Sequence, residues 1–219
     1  MIKLDILSDP ICPWCYIGKS NLDRALEKHP EHPFEIEWHP FQLNPDMPKS
    51  GMDRRAYLEA KFGGKEGAVR AYRQVEQAAE TAGLQIDFAA IPRIPNTLDA
   101  HRLIHWAGLE GRQNAVVSAL FKAYWCEGRD IGEKTTLLDI AKDCGLDVAM
   151  TERLLSTDAD AEDIMARDQH ARARGVSGVP CFVIGNQYVV SGAQPPQVWA
   201  QIIPELQAAQ STKTADPSS

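Results

Sequence analysis

The chain has 219 residues, 44% of them hydrophobic and 24% charged, with a formal net charge of −7. That length allows one domain carrying a large insertion, or two small domains, and the apolar share supports a substantial core without disulfides. The acidic balance argues against nucleic-acid or anionic-membrane partners. No apolar run approaches the ~18 residues that a membrane helix needs.

Residues 2–8 read as a strand, with Ile2, Leu4, Ile6 and Leu7 as its apolar set. The strand pattern starts at once, without the basic region, apolar stretch and small-residue cleavage site of a secretory signal, so with Met1 as the native start the expectation is a cytoplasmic protein. Cys12-Pro13-Trp14-Cys15 follows, and residues 16–28 read as a helix ending near Pro30. A strand that runs into a helix through two cysteines puts the first thiol at the helix N-terminus. Unpaired N–H groups and the helix dipole favour a thiolate there. The second thiol lies about one turn on, within reach of a disulfide. That spacing suits reversible exchange in which Cys12 attacks and Cys15 resolves. Cys12 is expected to be exposed with a low pKa, and Cys15 more buried. Pro13 fits a first helical position, where its missing N–H costs nothing. Trp14 adds a flat apolar surface beside the attacking sulfur.

Residues 34–38 alternate as a second strand ending near Pro40, and residues 42–50 are loop-like. From Gly51 to Arg174 the pattern is helical. Helices are read over 52–62 and 66–82, broken by Gly63-Gly64 and ended by Gly83. Residues 91–95, with two prolines, form an extended break. Asn96 or Thr97 then caps a helix to about Trp106. Further helices cover 112–126, 135–144, 147–155 and 159–173, with Thr135 and Asp147 as N-cap candidates. After Gly175 the pattern returns to strands: Cys181 to Ile184, a turn at Gly185-Asn186, and Tyr188 to Val190. A closing helix spans about 197–207, and the polar tail 210–219 reads as frayed. Without the helical block the order is β-α-β-β-β-α.

That order is a thioredoxin fold, an α/β architecture, with a large all-helical insertion. Residues 1–50 and 175–209 form the discontinuous thioredoxin-like domain, and 51–174 the insertion. The segment Ser8-Asp9-Pro10-Ile11-Cys12-Pro13-Trp14-Cys15-Tyr16-Ile17-Gly18 resembles the opening of FrnE-like proteins of the DsbA family. Residues 38–45 (Trp-His-Pro-Phe-Gln-Leu-Asn-Pro), 96–103 (Asn-Thr-Leu-Asp-Ala-His-Arg-Leu) and 175–180 (Gly-Val-Ser-Gly-Val-Pro) fit the same family in the same order. The resemblance spans nearly the whole chain. It implies a cis peptide bond at Val179-Pro180 facing the cysteine pair. Proline is the residue before which such a bond is affordable, and the Val179 backbone would there pair with substrate like an added strand. The superfamily also contains 2-hydroxychromene-2-carboxylate isomerases and kappa-class glutathione transferases. Those carry serine where this chain has Cys12, and this departure favours dithiol–disulfide chemistry.

Other residues have weaker signals. Asn96 is read first as a helix cap and, as the head of a family-like segment, as facing the substrate cleft. His101, on the same helix, is a cleft candidate because a histidine near a thiolate can stabilise it or move protons. His39 is a weaker cleft candidate. Asp9 is a candidate to influence the Cys15 proton, or else a turn residue. Cys181 reads as a small core residue and Cys126 as helix packing, while Cys144 sits near a helix end. The five cysteines show no second ligand pair at zinc spacing, so no metal site is read. The first functional reading is a thiol–disulfide oxidoreductase with Cys12 and Cys15 catalytic and Pro13, Trp14, Val179, Pro180, Asn96 and His101 lining the substrate site. It needs no tightly bound cofactor, uses protein thiols or glutathione as co-substrate, and requires a redox-recycling partner. The second is a glutathione-dependent isomerase or transferase on the same fold. The third is a redox-sensing or chaperone-like binding module.

Overall fold

The structure is a computed structural model that describes the backbone of residues 1–215 and side chains through residue 209. Its central sheet has four strands: β1 (Ile2–Ser8), β2 (Phe34–Pro40), β5 (Cys181–Ile184) and β6 (Tyr188–Ser191), in the order β2-β1-β5-β6. β1 and β2 are parallel, joined through α1 (Pro13–Lys28) as a crossover of the β-α-β kind. β5 runs antiparallel to β1, with Leu7 opposite Cys181. β5 and β6 form a hairpin whose turn residues Gly185 and Asn186 both have positive φ, 56° and 57°, as a tight hairpin turn of this hand requires.

Alternation divides the sheet into two faces. Leu4, Ile6, Phe182 and Ile184 point into the main core with Leu22 and Ala25 of α1 and with Trp199 and Ile203 of α9 (Pro196–Ala215). The Phe182 and Trp199 rings meet edge to face at 4.8 Å, adding to the area they bury. Leu7 and Cys181 point the other way, packing with Phe41 and with Ala171 of α8 (Ala161–Ala173). Burying such side chains contributes ~1.5–3 kcal/mol each.

Seven helices and a short ribbon fill residues 51–174. Met52–Asp53 is strand β3, paired antiparallel with Arg93–Ile94, β4. The helix read from residue 52 therefore begins later, as α2 (Arg54–Phe62), because the Asp53 side chain accepts the Ala56 N–H at 2.8 Å and caps it. α3 (Lys65–Thr81) follows. α4 (Leu98–Leu109) is capped by Asn96, whose Oδ1 accepts the Leu98 N–H at 2.9 Å. α5 (Gln113–Trp125), α6 (Lys134–Asp143) and α7 (Val148–Leu155) complete the block with α8. Asp147 caps α7 through Met150 N–H at 2.9 Å. Thr135 is not the N-cap but the second residue of α6, which starts at Lys134 after Glu133 in extended conformation. The last helix runs to Ala215 rather than ending near 207, since no stop residue intervenes. Of the tail read as frayed, residues 210–215 continue this helix and 216–219 lie outside the described residues.

One apolar cluster joins strand, α1 and α9 residues to Leu103, Val116, Leu120, Phe121 and Leu137 of the helical block. The block also closes the β2 edge of the sheet. The Gln113 amide accepts from Trp38 N–H at 2.8 Å and donates to Trp38 C=O at 3.0 Å, as a neighbouring strand would. Among the described residues no helix is long and apolar enough to cross a membrane.

Gly18, on α1, is where the helix passes closest to the segment before β5. A Cβ there would lie 2.9 Å from Pro180 Cγ and 3.4 Å from Phe182 Cζ. Gly18→Val is expected to cost about 1–3 kcal/mol through this overpacking. Gly18→Ala is expected to fail to deliver the ~1 kcal/mol that alanine ordinarily gains over glycine in a helix. Thermal melts of both variants check this; a stabilised Gly18→Ala protein would refute the close approach.

Candidate active site

Cys12 is the N-cap of α1, with extended backbone (φ −88°, ψ 115°), and Pro13 opens the helix. The Cys15 N–H donates to Cys12 C=O at 3.1 Å and the Tyr16 N–H to the same oxygen at 3.2 Å, so the two thiols sit on one tight first turn. Both are free thiols, as are Cys126, Cys144 and Cys181. Facing them is the Val179-Pro180 peptide, which is cis. Cys12 Sγ lies 3.6 Å from Val179 C=O. Trp14 is exposed and Pro13 half-buried, on the rim of this corner.

The expectation that Cys12 is exposed is wrong. It retains 3% of its surface and Cys15 1%. The reason is tertiary: Cys12 belongs to the same continuous core as Met47, Ile91 and Ile94, which the loop after β2 and the helical block bring over the helix start. Burial, reinforced by the Cys12 sulfur, pushes the Cys15 thiol well above the ordinary range; the Asp9 N–H and the Ser8 hydroxyl oppose that rise. Ser8 carried no signal in the sequence, where it reads as the end of a strand.

Beneath the pair lies a buried acid. Asp9 is fully buried; its C=O accepts the Cys12 N–H at 2.9 Å. Its carboxylate accepts Leu43 N–H at 2.7 Å and Ile11 N–H at 3.4 Å. It is thus both a turn residue and a tie to the loop after β2. Burial raises its pKa to about 7, against the pull of those N–H donors and the Thr97 hydroxyl. His101, on α4, places Nε2 3.7 Å from the Asp9 carboxylate with no hydrogen-bond partner of its own. Burial lowers its pKa to about 4, with the Asp168 charge opposing.

His101 is therefore part of the floor, 3% exposed, and not of an open cleft. Asn96 has both ends of its amide occupied, by Leu98 N–H and by Met47 C=O, the latter at 2.7 Å. It acts as a cap and a brace for Met47. His39 is hydrogen-bonded to Asp5 at 2.6 Å on the far face of the sheet. Asp5, Glu37 and His39 bring ligand atoms within 4.8 Å of one another, with Lys3 Nζ 3.1 Å from Asp5 and 2.7 Å from Glu37. Cys181 is a buried core thiol; Cys126 meets the Tyr16 hydroxyl at 3.4 Å. Two further ties hold the corner. Trp125 Nε1 donates to Pro10 C=O at 3.0 Å, and Asp168 accepts Gln42 N–H at 2.9 Å.

Comparison with known proteins places this geometry in context. A family model, the DSBA-like thioredoxin domain, matches residues 3–203. The crystal structure of a probable DsbA oxidoreductase, SCO1869, from Streptomyces coelicolor is 30% identical, with a TM-score of 0.84 over 95% of this chain and 91% of that one. The cytosolic disulfide reductase DsbM from Pseudomonas aeruginosa, solved with GSH, shares the fold at 18% identity and a TM-score of 0.67, covering 94% and 99% of the two chains. The protein YwbO of Bacillus subtilis (strain 168) is 26% identical over 207 residues, 94% of this chain and 98% of its own.

A carboxyl whose folded pKa lies above its unfolded value near 3.9 stabilises the fold fully below that unfolded value and loses the contribution as pH rises through the folded pKa, here about 7. Asp9→Asn removes this titration, while His101 remains in both proteins. From pH 5 to pH 8 the stability of Asp9→Asn relative to wild type is expected to rise by on the order of 2–3 kcal/mol. Denaturant melts at the two pH values measure it; a pH-independent difference would mean that Asp9 does not titrate there.

Proposed function

The chain belongs to the DSBA-like thioredoxin domain family, and we propose that it is a thiol–disulfide oxidoreductase in which Cys12 is the nucleophile and Cys15 the resolving thiol. The observation that carries this reading is the corner itself: Cys12 at the N-terminus of α1, Cys15 one turn on, and Val179 C=O 3.6 Å from the Cys12 sulfur. In the reduced protein, Cys12 thiolate attacks a substrate disulfide. A Cys12–substrate bond forms and one substrate thiolate leaves. Cys15, deprotonated, then attacks the Cys12 sulfur, expels the second substrate thiol and leaves a Cys12–Cys15 disulfide. The substrate has gained two electrons and the protein has lost them. The same steps run backwards when the protein is oxidised.

The environment of Cys15 supports this division of labour. Its raised pKa keeps it protonated until the mixed disulfide forms, so one thiol attacks at a time. Asp9 reaches Cys15 through its backbone N–H, which favours the thiolate, and its own buried carboxyl has its pKa raised to about 7. With Cys12 only 3% exposed, access beside Trp14 is narrow. That favours small thiols such as glutathione, and extended peptide segments paired along Val179, over disulfides on folded surfaces. A cytoplasmic setting fits electrons drawn from a glutathione pool.

Cys12→Ser is expected to reduce exchange to background, and Cys15→Ser to accumulate a mixed disulfide seen by mass under non-reducing conditions. Glutathione disulfide is expected to react faster than a folded protein disulfide. Full turnover in Cys12→Ser would overturn the assignment. Activity in Cys15→Ser that saturates with glutathione, on an electrophilic aromatic substrate, would move the chain to the glutathione-dependent isomerase or transferase reading.

A further inference from the structure

The sheet face opposite α1 and α9 is only partly covered. α8 crosses it at the β2 side, and between α8, the sheet and the loop 175–179 lies a cavity of about 1030 Å³. That is the scale of a small-molecule site. Its floor is apolar: Leu7, Cys181, Val183 and Val189, the last 62% exposed. Its wall on the α8 side carries Arg167, His170 and Arg174. The spacing i, i+3, i+7 puts these three on one helix face, turned to the cavity. Arg167 is shared with Asp163 at 2.8 Å, while Arg174 has no carboxylate partner among the described residues. Asp5 is the carboxylate among the lining residues. Lys3 at 3.1 Å and His39 at 2.6 Å already hold it. The charge offered to an occupant is positive, in a chain whose net charge is −7.

We propose that this cavity is a binding site for a small organic anion with an apolar body, its acid group on Arg174 and Arg167 and its body on Leu7, Val183 and Val189. The chemistry is that of a guanidinium pair recognising a carboxylate or sulfonate beside a desolvated apolar floor. A wholly apolar ligand would leave the arginines unused, and a cation would meet them in repulsion. Walls on three sides bound the cavity to a compact molecule.

The site is tested by direct binding, which needs no thiol chemistry, so its failure and that of the oxidoreductase reading are separate results. The probe is 8-anilinonaphthalene-1-sulfonate, followed by fluorescence on the full chain, with decanoate and uncharged decanol as competitors. One saturable site per chain is expected, displaced by decanoate and far less by decanol. Arg174→Gln and Arg167→Gln, both exposed changes, are expected to weaken binding by about tenfold together. Arg70→Gln on α3 is expected to leave it unchanged, and Val183→Trp to block it by filling the floor. Non-saturable binding, equal competition by decanol, or affinity indifferent to both α8 arginines and to Val183→Trp would each overturn the proposal.

Discussion

The antiparallel register of β1 and β5 is the constraint on which the site depends. Leu7 lies opposite Cys181. One residue beyond that pair in each direction the chain turns: β1 into the Asp9–Cys12 corner, and β5 back into Pro180 and Val179. The register therefore decides that Val179 C=O meets the Cys12 sulfur. A slip of one residue would turn Leu7 and Cys181 to the α1 face and carry Val179 away from the thiol. Gly18 eases the match, because a Cβ there would lie 2.9 Å from Pro180 Cγ.

Residues 13 to 178 separate the two sides of that contact. Closing so long a loop costs little more than closing a short one, since the entropy grows only with the logarithm of length. The insertion offsets even that by building its own core around Leu103, Leu120 and Phe121, continuous with that of the sheet. It then fastens itself to the corner at three points: Trp125 to Pro10, Asp168 to Gln42, and Gln113 to the backbone of Trp38. A block that folds against the active-site turn so closely cannot be indifferent to it. The same packing that covers Cys12 desolvates Asp9 and His101.

This explains what was legible in the sequence. The cysteine pair, the Asp147 cap and the turn at Gly185-Asn186 are local: their chemistry is complete within four residues. The strand order follows from one crossover and one hairpin. The burial of Cys12 is not local, because the core it joins includes Met47 from the loop after β2 and Ile91 and Ile94 from the helical block. The place of His101 has the same cause. On its own helix it is one histidine among Leu103, Ile104 and Trp106; only the docking of α4 against β2 sets its Nε2 against Asp9. The β3–β4 ribbon escaped for a different reason. Two-residue strands have no period to detect, and Asp53 and Arg93 are polar residues that a helix or loop would equally accept.

The fold treats the carboxyls of Asp9 and Asp5 differently. In the turn after β1 the buried carboxyl of Asp9 has no lysine or arginine within bonding distance, and burial raises its pKa to about 7. On the open face of the sheet Asp5, inside β1 and lining the cavity beside α8, is held by Lys3 and His39. The difference is in partners. A carboxyl buried without a lysine or arginine beside it can change charge near neutral pH; a carboxyl bonded to a lysine and a histidine is a strut between them. β1 thus carries a carboxyl tied to Lys3 and His39, the turn after it one with no such tie, and it is the helical block, closing over Asp9 with Thr97 and His101, that sets the second apart.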